Sequence, residues 1–372
     1  MKESGEFVRK YSSSLLNFLA DGREVVPEKI RPRLELVKSS TREARLFRFA
    51  TLTWSVPVSE GYGRRMRFLV WDDTIGRLIG IIALGDPVFN LQARDLEIGW
   101  NAATRSERLV GLMDAYVLGA VPPYSMLLGG KLIACLVRTC EVRDAFKLRY
   151  GASRGIISQT RKQADLLAVT TSSALGRSSV YNRLKLGGQM YFRPIGFTSG
   201  FGHFHVPSEL FSDLREYLVA RRHPYAGGNR FGNGPNWKFR AIRAALELLN
   251  VGRDYLHHGI RREVFIATLA DNAVAVLQGR EDLPQFSQLL SVALVGESAL
   301  ERWVLPRAQR RPEYREWDPW ASRSRSALRC CYSACVPCGS FVSTTGHALH
   351  PDELANEQWR SIGDCRVVCN LR

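Results

Sequence analysis

Two cysteines, Cys135 and Cys140, are all that the sequence carries before residue 330. So few thiols cannot supply a disulfide framework for the body of the protein, and their apolar or mixed surroundings predict reduced side chains in or near a core. Also missing is any uncharged apolar run of roughly 18 residues, the length a membrane-spanning helix needs. The opening Met1-Lys2-Glu3-Ser4-Gly5-Glu6 lacks the apolar stretch of a signal peptide, so a cytoplasmic protein with no membrane partner is expected. Acidic side chains are in deficit as well. Against 52 lysines and arginines stand 36 aspartates and glutamates, a formal net charge of +16. That surplus points to a polyanionic partner, nucleic acid ahead of an anionic membrane.

What is present is a globular composition, with 45% hydrophobic and 24% charged residues over 372 positions. Fibrous, collagen-like and disordered readings are excluded. The pattern predicts an α/β fold: a mixed, mainly antiparallel sheet with flanking helices, a helical C-terminal extension and a flexible cysteine-containing tail. The bounds expected are 1–60 for an N-terminal wrapping segment, 61–220 for the α/β core, 221–318 for the extension and 319–372 for linker and tail. Arg67 to Trp71 and Arg77 to Leu84 read as a hairpin around Asp72-Asp73-Thr74-Ile75-Gly76. Leu96 to Trp100 reads as a further strand, and Leu112 to Val121 as a buried one ending at Pro122-Pro123. Helices are expected over Leu127 to Val137 and Val142 to Tyr150.

Strand, loop and helix then recur at Leu166 to Leu186, with the strand ending near Thr171 and the helix starting at Ser178. Met190 to Phe197 and Gly200 to Val206 read as an antiparallel pair. Ser208 caps a helix through about Ala220. Beyond it, Trp237 to Leu249 and Val264 to Leu277 read as helices.

The step from Asp114 to Leu132 runs from apolar strand through a tight loop into a helix. Backbone N–H groups there, with Gly129, Gly130 and Lys131, suit a phosphate or pyrophosphate, while close helix–sheet packing explains the same glycines. Together with Tyr124, Ser173, Arg177 and Tyr181 they are expected to converge on one pocket, because both loops follow strands at their C-terminal ends. This order of elements resembles the acyl-CoA-dependent GNAT acetyltransferases. The resemblance implies a GNAT-like core, a cofactor-binding role for Leu127 to Lys131 and a general-acid role for Tyr181; the expected pocket adds Tyr124 to the cofactor-binding residues and Arg177 to the catalytic ones. The Gln/Arg-x-x-Gly-x-Gly/Ala signature of that superfamily is absent, so the resemblance speaks to fold.

A second resemblance rests on longer motifs over roughly residues 7 to 310. Leu46-Phe47-Arg48, Trp54-Ser55-Val56-Pro57-Val58-Ser59, Gly61-Tyr62-Gly63-Arg64-Arg65, Gly85-Asp86-Pro87-Val88-Phe89-Asn90-Leu91, Arg94-Asp95, Ile98-Gly99-Trp100 and Ala174-Leu175-Gly176-Arg177-Ser178-Ser179 are similar to the DruA domain family of Druantia anti-phage systems. The resemblance implies a bacterial defence component working beside a large helicase-like partner. It brings no known reaction with it.

Arg64, Arg65, Arg67, Arg94, Arg105, Arg108, Arg177 and Arg183 recur near Tyr62, Phe89 and Trp100, a combination that suits a nucleic-acid strand, DNA first. Pairing with Asp86, Asp95 and Glu97 is the competing fate of such arginines. His203 and His205 with those same carboxylates would suit a metal-dependent nuclease, and His257-His258 more simply caps a helix end. Gly232 to Lys238 reads as a turn with Asn236 as N-cap. In the tail, Cys335, Cys338, Cys365 and Cys369 are spaced as four thiolates of a zinc site, and a tail without metal fits the same spacing. Three functions therefore stand side by side: nucleic-acid engagement in defence, GNAT-like acyl transfer to a protein or nucleic-acid-linked substrate, and metal-dependent hydrolysis.

Overall fold

Seven strands build the sheet that positions everything else. The computed structural model describes residues 2–321 except 55–57, 59–62, 155–160, 175, 179, 204 and 229–234. In chain order come α1 (Lys2–Leu16), β1 (Pro32–Leu36), α2 (Arg42–Thr51), β2 (Arg65–Asp72), β3 (Arg77–Gly85), α3 (Gln92–Ile98), α4 (Ala102–Arg108) and β4 (Leu112–Ala120). The next run is α5 (Gly129–Leu136), α6 (Cys140–Tyr150), β5 (Ala152–Arg154), β6 (Arg161–Gln163), β7 (Ala168–Ser172), β8 (Lys185–Leu186), β9 (Gln189–Met190) and β10 (Arg193–Phe197). It closes with α7 (Ser208–Ala220), α8 (Pro235–Leu248), β11 (Glu263–Thr268), α9 (Ala273–Gln278), α10 (Val292–Ala299) and α11 (Leu305–Arg310). The sheet order is β1-β2-β3-β4-β7-β11-β10, and β5/β6 and β8/β9 form two small ribbons. Among the described residues only β4 and β7 pair in parallel within the sheet; the other neighbours are antiparallel.

Alternation along the strands divides the core into faces. Met66, Phe68 and Val70 of β2, Met113 and Ala115 of β4, Val169 of β7 and Phe265 of β11 pack with Leu132, Ile133 and Leu136 of α5 and Val295 of α10. On the other face Leu69, Ile81 and Val117 pack with Leu46, Phe47 and Phe49 of α2. Further along that face Leu112, Ala168 and Ile266 pack with Ile98 of α3 and Leu277 of α9. Burial of these apolar side chains is the main force holding the layers, about 1.5–3 kcal/mol for each large one. A separate cluster joins Leu214 and Leu218 of α7 to Ala241, Ile242 and Ala245 of α8.

Several elements fall as the periodicity predicts, including the β2–β3 hairpin, β4, α5, α6, β7, α7 and α8. Others do not. The expected strand at Leu96 to Trp100 is the end of α3, which Gly99 terminates in the left-handed region at φ 76°. Gly99 also lets Trp100 turn inward, where its indole N–H donates to the Leu277 carbonyl at 2.6 Å. Ser178 to Leu186 is not a helix: the Ser178 hydroxyl accepts from the Val180 and Tyr181 N–H groups, each at 3.2 Å, and so offers the backbone a local turn instead. The helix expected over Val264 to Leu277 is two elements, β11 and α9. Its apolar run is continuous because β11 is covered on both faces, where period alone does not separate strand from helix. β11 thus inserts between β7 and β10, and among the described residues of Gly200 to Val206 an isolated bridge, Phe201 to His257, takes the place of the expected strand. Part of the proline-punctuated N-terminal stretch is β1, an edge strand that tolerates Pro32 at its start.

Residues Met1–Pro319 form one compact unit. The tail cysteines Cys335, Cys338, Cys365 and Cys369 lie outside the described residues, as do Gly232, Asn233 and Gly234 of the expected turn. Among the described residues no helix is long and apolar enough to cross a membrane.

Candidate functional site

One row of side chains crosses the sheet on a single face. Arg65 pairs with Gly85, Gly85 with Asp114, Asp114 with Thr170 and Thr170 with Ile266. The row forms a polar seam between the two apolar patches of that face, which hold Val117 and Leu112. Arg65 lies over the Tyr116 ring, 4.3 Å from its centroid, and Gly85 leaves room for that ring. Thr170 donates its hydroxyl to Asp114 at 2.8 Å. Burial pushes the Asp114 carboxyl up to about 6, against the Thr170 bond and the positive field of Arg94.

The other sequence-singled arginines divide by environment. Arg64 is spent internally: its backbone N–H and Nε both donate to Asp86, at 2.8 and 2.6 Å, and its terminal nitrogens donate to the Val110 and Leu112 carbonyls. Arg94 is fully enclosed, at 0% exposure. It donates to Asp95 Oδ1 and to the Val88 and Phe89 carbonyls, so it holds the loop before α3 and offers no surface to a phosphate. Arg105 closes the other side of Asp95 at 2.8 Å and stacks on Phe89. For these residues the ion-pair fate prevails over the surface one.

Arg177 and Arg183, by contrast, are exposed, as is Lys185, and none of the three makes an ion pair among the described residues. Arg177 and Arg183 sit on the loop after β7, which is pinned to β11, and Lys185 opens β8 just beyond it. The Ser173 N–H donates to the Glu263 carbonyl at 2.8 Å, and the Glu263 N–H donates to the Gly176 carbonyl and to Ser173 Oγ, each at 3.0 Å. The buried Glu263 carboxylate accepts from the Asn182 amide at 3.2 Å and the Ser178 N–H at 3.4 Å. A loop anchored at both ends therefore presents its cations outward.

The expected pocket gathers some of its residues on one side of the sheet, packed inward. Tyr124 is buried and donates its hydroxyl to Asp72 at 2.8 Å, and burial raises both groups. Tyr181 packs its ring on Phe192 and Phe265, and burial pushes its hydroxyl up to about 12. Lys131 lies over the Trp303 ring. A Cβ on Gly129 would come within 2.6 Å of the Tyr124 carbonyl oxygen, so this glycine serves close packing of α5 against the preceding turn. Space around Gly130 is open. A cavity of about 280 Å³ lies elsewhere, between Arg31 to Leu34 at the sheet edge and Glu141 and Val292.

His203 and His205 are not joined by Asp86, Asp95 or Glu97, whose partners are Arg64, Arg94 with Arg105, and Arg193. Among the described residues no three His, Cys, Asp or Glu side chains gather to hold a metal. The histidines instead meet aromatic rings: His203 faces Phe239, His205 faces Tyr255 and His257 meets Phe201 edge-on at 4.9 Å. Sequence reasoning passed over Phe197 and Phe201, exposed at 38% and 39% beside these imidazoles. Their signal was the alternation of aromatic residues with glycine from Tyr191 to Phe201, which leaves rings on a surface instead of in a core.

The family model described as Druantia protein DruA matches residues 1–279. The Druantia protein DruA of Escherichia coli (strain UMEA 4076-1) is 56% identical over 312 residues, covering 84% of this chain and 77% of that protein. No solved structure matches. Half of the chain and more is thus accounted for by one family, over the strands and loops just described, and the chain belongs to the DruA family of Druantia proteins.

Proposed function

We propose that this Druantia anti-phage defence component acts by engaging nucleic acid, DNA first, together with other proteins of the system, a helicase-like partner among them. The observation that carries the reading is the anchored loop after β7, which with the start of β8 holds Arg177, Arg183 and Lys185 outward, with no ion pair to any of them among the described residues. Unpaired cations on a fixed backbone neutralise phosphates at little entropic cost. A net charge of +16 supplies the long-range attraction. Arg65, half-buried over Tyr116, is a further contact of the same interface; Arg64 and Arg94 are left to hold the fold. Titration of the full chain with a DNA oligonucleotide at several salt concentrations tests this. Affinity falling steeply with salt supports it, and absence of binding at low salt removes it.

A GNAT-like acyltransferase acting on a protein or nucleic-acid-linked substrate is the second reading, and the strand order favours it. One parallel pair lies in the middle of an otherwise antiparallel sheet, and its pairing ends at Asp114 and Thr170 while β4 runs on to Ala120. Strands that part in this way tend to leave a crevice at their C-terminal ends, and the segments carrying Tyr124, Gly130, Lys131 and Tyr181 follow those ends in the chain. Acyl-CoA added as a competitor in the same titration separates the readings: binding of the nucleotide thioester itself supports acyl transfer, and indifference to it leaves nucleic acid alone.

A further inference from the structure

We propose that the rings at the β10–β11 end of the sheet form a stacking platform for the unpaired bases of a single DNA strand, whose phosphates run along the cationic loop beside it. The inference rests on the nucleic-acid reading and specifies its substrate.

Contiguity of platform and loop comes from the pairing. Phe197 is the cross-strand partner of Glu263, and the Glu263 N–H is bonded to the Gly176 carbonyl, one residue before Arg177. Backbone bonding therefore sets Phe197 and the Arg177 loop on either side of one β11 residue. Next along the chain, the Arg262 N–H donates to Thr198 Oγ1 at 3.0 Å, and the Arg261 guanidinium lies over the Phe197 ring at 5.4 Å.

Four residues on from Phe197 a group of rings begins at Phe201. Phe201 stands edge-on to Phe239, with centroids 5.7 Å apart, and to His257. The Phe201–His257 bridge and the His258 N–H to Gly200 carbonyl bond, 2.9 Å, lock the two segments together. Phe197 and Phe201 each keep more than a third of their surface open to water, and Tyr255 keeps 45%. An exposed row of rings is costly to keep wet unless something covers it. The cations among the rings, Arg261, Arg262 and Lys238, disfavour an apolar protein face as the occupant and favour a polyanion with flat faces. Bases locked inside a duplex present only edges, whereas a single strand offers its base faces to rings and its phosphates to arginine.

The test uses the full chain, a 20-nucleotide oligothymidine strand and a 20-base-pair duplex, with anisotropy as the readout. The intact protein should bind the strand more tightly than the duplex. The double variant F197A/F201A, altered only at exposed rings, should keep the thermal transition, lose about tenfold or more in affinity for the strand and leave duplex affinity and salt slope unchanged. Unchanged strand affinity in that variant, or equal affinity for strand and duplex in the intact protein, overturns the platform while the broader nucleic-acid reading stands. No binding of either probe at low salt overturns both. A fluorescent 2-aminopurine placed in the strand gives a second readout, since its emission should be quenched on binding to the intact protein and not to F197A/F201A.

Discussion

The Thr170 hydroxyl donates a hydrogen bond to Asp114 at 2.8 Å across the last rung of the sheet's parallel pair. That single donor does not offset the burial of the carboxyl, which is held at about 6 against an ordinary 3.8. A folded-state value above the unfolded one means that the charged form is disfavoured by folding. Stability from this group is full below pH 4 and is lost as the pH rises through 6. Asp114→Asn keeps an oxygen for Thr170 and carries no charge, so it should raise stability by about 2–3 kcal/mol at pH 8. The gain should vanish near pH 4. Thermal melts of the two proteins across that range check it, and a gain independent of pH would contradict it.

Gly80 pairs with Ala120 and Gly119 with Ile81, one rung apart on β3 and β4. A Cβ on Gly80 would meet the Gly119 carbonyl oxygen at 2.3 Å and the Ala120 Cα at 2.8 Å, both backbone atoms. A Cβ on Gly119 would meet the Trp54 ring at 2.0 Å, and a side chain can move. Gly80→Ala should therefore cost more than Gly119→Ala, with overpacking penalties of about 1–3 kcal/mol as the scale. Urea unfolding of both variants, compared at constant m value, reads the order directly.

Arg94 and Arg177 should answer very differently to the same substitution. Arg94→Ala leaves the Val88 and Phe89 carbonyls and one side of Asp95 without their donor, in a fully buried setting, and should cost about 3–5 kcal/mol. Arg94→Lys should recover little of it, because one ammonium cannot reproduce the guanidinium fork. Arg177→Ala should stay within about 0.5 kcal/mol, as suits an exposed side chain with no ion pair among the described residues. Chemical denaturation of the three variants settles the contrast.

That contrast also marks how far the sequence could be read. The β2–β3 hairpin and the β4–α5 step were legible because a turn or a proline pair brackets each apolar run. β11 was not, since Val264 to Ala267 is apolar on both faces and period separates strand from helix only when one face is wet. Arginines in a string carry no mark of their surroundings: Arg94 and Arg177 read alike until the fold encloses one and leaves the other outside. Asp95 next to Arg94 was visible, yet the Val88 and Phe89 carbonyls that complete the cage are backbone atoms, which composition never shows. Phe197 and Phe201 were hidden for the opposite reason, because aromatic residues are expected inside and here stay partly outside.

The phosphate contacts of the loop after β7 are read most directly from the salt dependence of DNA binding by the full chain and by its Arg177→Ala/Arg183→Ala double variant, with the thermal transition recorded for each. If the loop after β7 holds phosphates, the intact protein shows log affinity falling linearly with log salt. The double variant, folded as before, binds more weakly and loses about 1.4–1.8 from that slope, the share of two phosphate contacts. Equal slopes and equal affinities for the two proteins would contradict the account.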